Sequence, residues 1–199
     1  MIIGGSMATM KYDGIVFIGH MGSGKTYTLG RVAEQLNEKY SISLNKCSIA
    51  SGIKQIAINY FGMKEKDRRL LQQIGTKMRE IDENVWIKAL VLKIQNENLI
   101  PFGVNLIPFG VDDVRFLNEI DRLKENFSLF VVKLQPNEDQ RLEVYQELYG
   151  RYPTEEELND PTETEIDKLE YNYLIRNTYD QRDITSDIDA IVEAVVNKA

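Results

Sequence analysis

Gly19-His20-Met21-Gly22-Ser23-Gly24-Lys25-Thr26 follows without a break on the apolar run Gly14-Ile15-Val16-Phe17-Ile18. A glycine, four residues and then Gly-Lys-Thr, where a strand hands over to a helix, is the pattern of a phosphate-binding loop. Glycines let the backbone curl so that successive N–H groups face inward, making Gly19, Met21, Gly22, Ser23 and Gly24 the wall of an anion cradle. The helix that follows adds its positive N-terminal end. Lys25 has the reach for β- and γ-phosphates, and the Thr26 hydroxyl is the type of oxygen that ligates Mg²⁺. A nucleoside triphosphate, with ATP the expected donor, suits such a loop. His20 occupies a variable position of the pattern, and phosphoryl transfer needs no histidine there.

The rest of the chain alternates strand-like and helix-like segments. Residues 14–19 read as the first strand and 24–38 as the helix after it. Ser41 to Ala50 alternates polar and apolar residues, as a strand would. Helical stretches follow near 52–61, 66–79 and 83–96, then a strand ending at Val111-Asp112-Asp113 and a helix over about 116–125. Ser128 to Leu134 is the clearest buried strand. Helices near 138–149, 154–158 and 163–169, a strand near 171–177 and an amphipathic helix over 186–198 complete the pattern. Alternation of this kind predicts an α/β protein, a parallel sheet covered by helices on both faces.

Composition narrows the function classes. With 31 acidic residues against 24 Lys and Arg, the net charge of −7 argues against a nucleic-acid polymer as partner. A small phosphorylated substrate needs only local positive charge. No apolar run approaches about 18 residues, so no membrane span is expected. Met1 to Ser6 lacks the basic and apolar regions of a secretory leader. Residues 1–11 are expected to form a loose leader, and a cytoplasmic setting, as monomer or homodimer, fits the chain. Cys47 is the single cysteine; in a probable strand, it reads as a small buried hydrophobe. Asn98 to Val104 is followed at once by an identical copy, Asn105 to Val111. Only one copy can carry the strand that leads to Asp112, and the second is the expected one, with Pro108 near the strand start, where a missing N–H is tolerable.

Two stretches beyond the loop carry chemistry. Residues 64–79 hold six basic residues against two acids. Read as a helix, they put Leu70, Leu71, Ile74 and Met78 on the core side and Arg68, Gln72, Gly75 and Arg79 within about 60° of one another on the far side. That face offers guanidiniums matched to phosphate oxygens and a glycine that lets a ligand approach; the alternative is a solvated basic face. In Val111 to Glu119, an acid at the end of an apolar strand is where such proteins place a Mg²⁺-shell carboxylate, and sequence leaves open whether Asp112 or Asp113 serves. Arg115 should emerge at the same sheet edge. The alternative is a polar helix cap, with Asp113 or Asn118 bonding backbone N–H groups. Residues 155–170 contain eight acids and only Lys168, read as a solvated face rather than a metal site. Arg141, Arg151, Arg176 and Arg182 are late-chain candidates for a phosphate clamp. Trp86 shares a helix face with Leu90 and Ile94 and is expected in the core.

Taken together, the loop at 19–26, the run from Lys66-Asp67-Arg68-Arg69 through Gly75-Thr76 to Arg79 and Trp86, Asp113-Val114-Arg115-Phe116 with Asn118-Glu119, and Thr162 to Asp167 running on to Ile175-Arg176-Asn177 resemble the nucleoside monophosphate kinase superfamily. The likeness is greatest to the deoxynucleoside monophosphate kinases of bacteriophages. The resemblance implies a three-layer fold with a five-stranded parallel sheet, an acceptor-binding helical insertion over about 50–97 and a lid near 141–160. It implies transfer of the ATP γ-phosphoryl to a (deoxy)nucleoside monophosphate. Arg68, Arg79 and Arg115 would hold the acceptor, Lys25, Arg115 and Arg141 would act on the transferring group, Asn177 would belong to the ATP site, and Thr26 with Asp112 or Asp113 would serve Mg²⁺. Ser51-Gly52-Ile53-Lys54 departs from the family's usual Pro-Leu-Lys stretch, and the lid is poor in arginine and rich in acid. Rival readings are another small-molecule kinase on this scaffold, for instance one resembling dephospho-coenzyme A kinases, and a nucleotide-binding regulatory protein with little turnover.

Overall fold

A computed structural model describes residues 8–97, 107–176, 179 and 181–197. Five parallel strands form the central sheet in the spatial order β3-β4-β2-β5-β6, with β2 Gly14–Ile18, β3 Asn45–Cys47, β4 Phe109–Val111, β5 Leu129–Leu134 and β6 Tyr173–Ile175. Side-chain alternation along β2 divides the core. Ile15 and Phe17 join Leu29, Val32 and Leu36 of α1 (Lys25–Tyr40) and Ile184, Ile188, Ile191 and Val192 of α9 (Gln181–Val195) on one face. Val16 and Ile18 join Trp86, Leu90 and Ile94 of α4 (Val85–Glu97) and Ile120 and Leu123 of α5 (Leu117–Asn126) on the other. This is the three-layer α/β arrangement expected from the alternation of elements. Trp86 is 3% exposed, as its helical phase predicts. The segment near the start of the sheet also contributes α2 (Ala50–Phe61) and α3 (Arg68–Ile81), while α6 (Glu138–Tyr149), α7 (Glu155–Leu158), α8 (Pro161–Thr164) and a 3-10 turn at Ile166–Lys168 lie between β5 and β6.

Three differences from the expected elements have local causes. The second strand is only Asn45–Cys47, because neighbouring elements claim its ends. Ser41 takes a left-handed φ of 55° and donates its N–H to the Asn37 carbonyl to close α1, while Ile49 and Ala50 give their N–H groups to Asp113. The last helix starts at Gln181 and ends at Val195, where β7 (Val196–Asn197) pairs antiparallel with β1 (Thr9–Met10). Lys11 seals this junction, its N–H on the Val195 carbonyl and its Nζ on the Ala194 carbonyl. The loose leader expected through residue 11 is corrected accordingly for Thr9–Lys11. The strand β4 belongs to the second copy of the duplication; the first copy lies outside the described residues. The Pro108 carbonyl accepts the Asn45 N–H just ahead of the strand, where no ladder donor is missed. Cys47 is buried, which pushes its thiol up to about 11 and leaves it unreactive. Among the described residues no helix is long and apolar enough to cross a membrane.

Candidate active site

At the carboxyl edge of the sheet the chain leaves β2 and turns at Gly19. A side chain there would sit 2.6 Å from the Leu134 carbonyl oxygen and 2.8 Å from Ser23 Oγ, so no other residue fits. Gly24, at a φ of 87°, turns the loop into α1. Ser23 is buried beneath the loop, and the Tyr179 hydroxyl donates to the Gly22 carbonyl. Lys25 is only 8% exposed. Its Nζ donates to the carbonyls of Gly19 at 2.6 Å and His20 at 2.8 Å. Burial, reinforced by the nearby Arg115 charge, pulls Lys25 down to about 7. An anion in the loop would restore its proton.

The two aspartates after β4 part company. Asp112 Oδ2 accepts the Thr26 hydroxyl at 2.5 Å, placing the first helical hydroxyl of α1 beside a strand-end carboxylate. Asp113 turns to α2 and accepts from Ser48 Oγ at 2.7 Å and from the N–H groups of Ile49 and Ala50, each at 2.9 Å. Both of its oxygens are thus spent on capping a helix start, which is the polar-cap alternative realised at α2 rather than α5. The geometry offers Asp112, not Asp113, beside Thr26. Among the described residues no group of three or more His, Cys, Asp or Glu gathers as a metal cage.

Arg115 lies between β4 and α5. Its N–H donates to Glu119 at 2.8 Å, and its Nη1 donates to Glu163 at 2.5 Å. Glu119, 4% exposed, also accepts the Phe116 N–H and stands 3.7 Å from Arg79 Nη2, so one buried carboxylate ties Arg79 to the backbone of Arg115. Burial raises Glu119 above its ordinary value against these contacts. Arg79 also lies over the Phe116 ring at 5.6 Å. Arg68 is not brought to this cluster: it stacks on Tyr149 of α6 at 4.7 Å. Eleven residues along one helix separate the two arginines by about 16 Å, so a shared face does not make a shared site. Gly75 is corrected as well. It is buried against α2 and α4, with the Trp86 indole N–H on its carbonyl at 3.1 Å, and serves helix packing instead of an exposed ligand face.

Arg141 is 3% exposed, with its guanidinium on the Glu138 carboxylate and its Nη1 on the Met21 carbonyl at 2.8 Å, so it braces the phosphate loop. Arg151 pairs with Glu157 and lies over the Tyr145 ring at 6.0 Å, and Arg176 is exposed. Asn177 lies outside the described residues, as does the side chain of Arg182.

The residues that sequence reasoning missed are acids. Glu163, read as part of a solvated run, is 1% exposed and accepts the Met21 N–H at 2.8 Å as well as Arg115. His20 lies between two carboxylates, Nδ1 3.3 Å from Glu163 and Nε2 3.3 Å from Asp167, while Lys133 at the end of β5 reaches Asp167 at 3.1 Å. The bond to Glu163 raises His20, against the opposing effect of burial. Burial pushes Glu163 up, yet His20, the Met21 N–H and the charges of Arg115 and Lys25 hold it below the usual carboxylate range. Asp160-Pro161 marks the start of α8, with the Asp160 carboxylate accepting the Thr162 N–H, but it does not single out which acid of the run turns inward.

No protein-family model matches the chain, and no curated protein matches it. Solved structures do. A gluconokinase from Sinorhizobium meliloti 1021 is 16% identical at a TM-score of 0.51, covering 91% of this chain and 94% of its own. A shikimate kinase from Bacteroides thetaiotaomicron is 15% identical at a TM-score of 0.52, covering 92% and 98%. Chaetomium thermophilum Kti12 in complex with ADP-AlF3 is 16% identical at a TM-score of 0.53, covering 92% and 100%. The chain therefore has the three-layer fold of P-loop kinases. At these identities the likeness is one of fold.

Proposed function

We propose that this protein transfers the γ-phosphoryl group of ATP to a (deoxy)nucleoside monophosphate, giving the diphosphate. The observation that carries the reading is the gathering of the Lys25 loop, the Thr26–Asp112 pair and the Glu119-linked Arg79 and Arg115 at one sheet edge. In this reading the loop N–H groups and Lys25 hold the donor phosphates, and Lys25 stabilises the charge that shifts during transfer. Arg115, with Arg79 beside it, holds the phosphate of the acceptor in line. Arg141 keeps the loop in shape from behind. Thr26 and Asp112 offer two adjacent hard oxygens, which suits Mg²⁺, an ion that takes its remaining ligands from phosphate and water. Bound there, Mg²⁺ supplies neutralisation of phosphate charge.

A second reading, a small-molecule kinase with a non-nucleotide acceptor, is favoured by the fold likeness to a gluconokinase and a shikimate kinase. A coupled ADP-release assay with ATP and Mg²⁺ separates the two when run across deoxynucleoside and ribonucleoside monophosphates, dephospho-coenzyme A, gluconate and shikimate. Turnover with a nucleoside monophosphate supports the first reading. Turnover only with another acceptor rejects it. If Arg79→Ala and Arg115→Ala leave transfer unchanged, those arginines are not the acceptor site.

A further inference from the structure

We infer that Glu163 is a positioning residue that holds the Arg115 guanidinium in register with the phosphate loop. The inference rests on the kinase reading above and adds to it a residue from a third segment of chain. Three separate loops meet at this carboxylate. Met21 belongs to the turn after β2, Arg115 to the segment between β4 and α5, and Glu163 to α8 after the β5 crossover. The sheet fixes the backbones of the first two, since β2 and β4 are paired neighbours. It does not fix the long side chain of Arg115, whose rotamer freedom must be removed before it can meet an anion in one place.

Glu163 does this with a division of labour between its oxygens. Oε2 is anchored on the Met21 N–H at 2.8 Å and lies 3.3 Å from His20 Nδ1, so it is tied to the phosphate loop itself. Oε1 takes Arg115 Nη1 at 2.5 Å. The Glu163 side chain is 2% exposed, whereas that of Arg115 remains 29% exposed. A guanidinium has five N–H donors, so one filled nitrogen leaves donors for a ligand phosphate. The loop and the arginine are thereby joined through one buried atom group, and a shift of either is felt by the other. Gln cannot replace this: its carbonyl could keep the Met21 N–H, but its neutral amide cannot pair with the Arg115 charge.

Steady-state kinetics of wild type, Glu163→Gln, Arg115→Ala and the double variant test this. Glu163→Gln is expected to raise the acceptor KM about tenfold while the ATP KM changes less than about twofold. In the Arg115→Ala background the same change should add almost nothing, because the partner it positions is gone. A fall in kcat with both KM values unchanged, or an undiminished effect in the Arg115→Ala background, overturns the inference. A readout free of any acceptor is the ¹⁵N NMR signal of the Arg115 side-chain Nε–H, assigned by its loss in Arg115→Ala. Its ¹⁵N relaxation should report a rigid side chain in wild type and a mobile one in Glu163→Gln; equal rigidity in both rejects the positioning role. If wild type transfers phosphoryl to no acceptor while the NMR contrast holds, the kinase reading fails and the positioning stands. Where the Gln variant does not fold, Glu163→Asp replaces it, keeping the charge but too short to hold both partners.

Discussion

Lys25 is the residue whose removal should separate stability from activity most cleanly. It is 8% exposed, and its drop from an ordinary 10.5 to about 7 corresponds to about 5 kcal/mol against the charged form, at about 1.4 kcal/mol per pH unit. Lys25→Met removes that charge and keeps most of the apolar stem. It also leaves the carbonyls of Gly19 and His20 without their charged donor, a loss of about 1–2 kcal/mol each. The net expectation is a variant more stable than wild type by about 1–3 kcal/mol near neutrality, which raises Tm by about 2–4 °C per kcal/mol for a chain of this size. The sign of the pH dependence follows from the direction of the shift. A lysine whose folded value lies below its unfolded one burdens the fold fully below about pH 7, and the burden fades as pH rises toward 10.5. Thermal melts of both proteins at about pH 6, 7.5 and 9 should show a gap that narrows with pH. Adding ATP and Mg²⁺ should raise the Tm of wild type and leave the variant unmoved. A variant less stable than wild type at pH 6, or a gap independent of pH, would refute the reasoning.

Other outcomes are expected from single changes. Asp112→Asn should leave Tm unchanged and lower phosphoryl transfer by about a hundredfold, measured by ADP release at saturating Mg²⁺. Asp113→Ala should do the reverse: it strips three hydrogen bonds from the start of α2 and should cost about 1–2 kcal/mol in urea unfolding. His20→Gln should lower stability by about 1 kcal/mol at low pH. Because the pairing with Glu163 raises His20, its contribution is whole below about pH 6.5 and is lost as pH climbs through the raised value; a pH-independent difference in Tm would contradict this. Gly75→Ala should be neutral or stabilising by up to about 1 kcal/mol, since the added carbon meets Ile53 Cδ1 at an ordinary 3.4 Å. Loss of transfer in that variant would restore Gly75 to a ligand-approach role.

The elements that were legible in the sequence are those with a local cause. The strand at 14–18 and the helix after it are written in an apolar run and a glycine pattern. What sequence could not supply was the meeting of distant segments. Alternation in Ser41 to Ala50 reads as a long strand, but a left-handed cap at one end and Asp113, more than sixty residues away, at the other leave three residues of it. The same limit governs the site. Helical phase puts Arg68 and Arg79 on one face, yet position along the axis sends one to Tyr149 and the other to Glu119. Asp112 and Asp113 are identical in kind and adjacent, and only the partners that tertiary structure brings, Thr26 and the α2 N-terminus, tell them apart.

The acid-rich segment after α6 shows why charge runs mislead when read alone. A solvated face was the economical reading of 155–170, and most of its acids are indeed exposed. But the phosphate loop concentrates cationic groups, Lys25, Arg115, Arg141 and His20, in a small volume before any ligand phosphate is counted. Like charges so close repel one another, and at Lys25 the Arg115 charge adds to the larger effect of burial in lowering it. Glu138, Glu163 and Asp167 answer that repulsion at three points, on Arg141, on Arg115 with His20, and on His20 with Lys133. The segment between β5 and β6 thus supplies the anions that keep those cations in place.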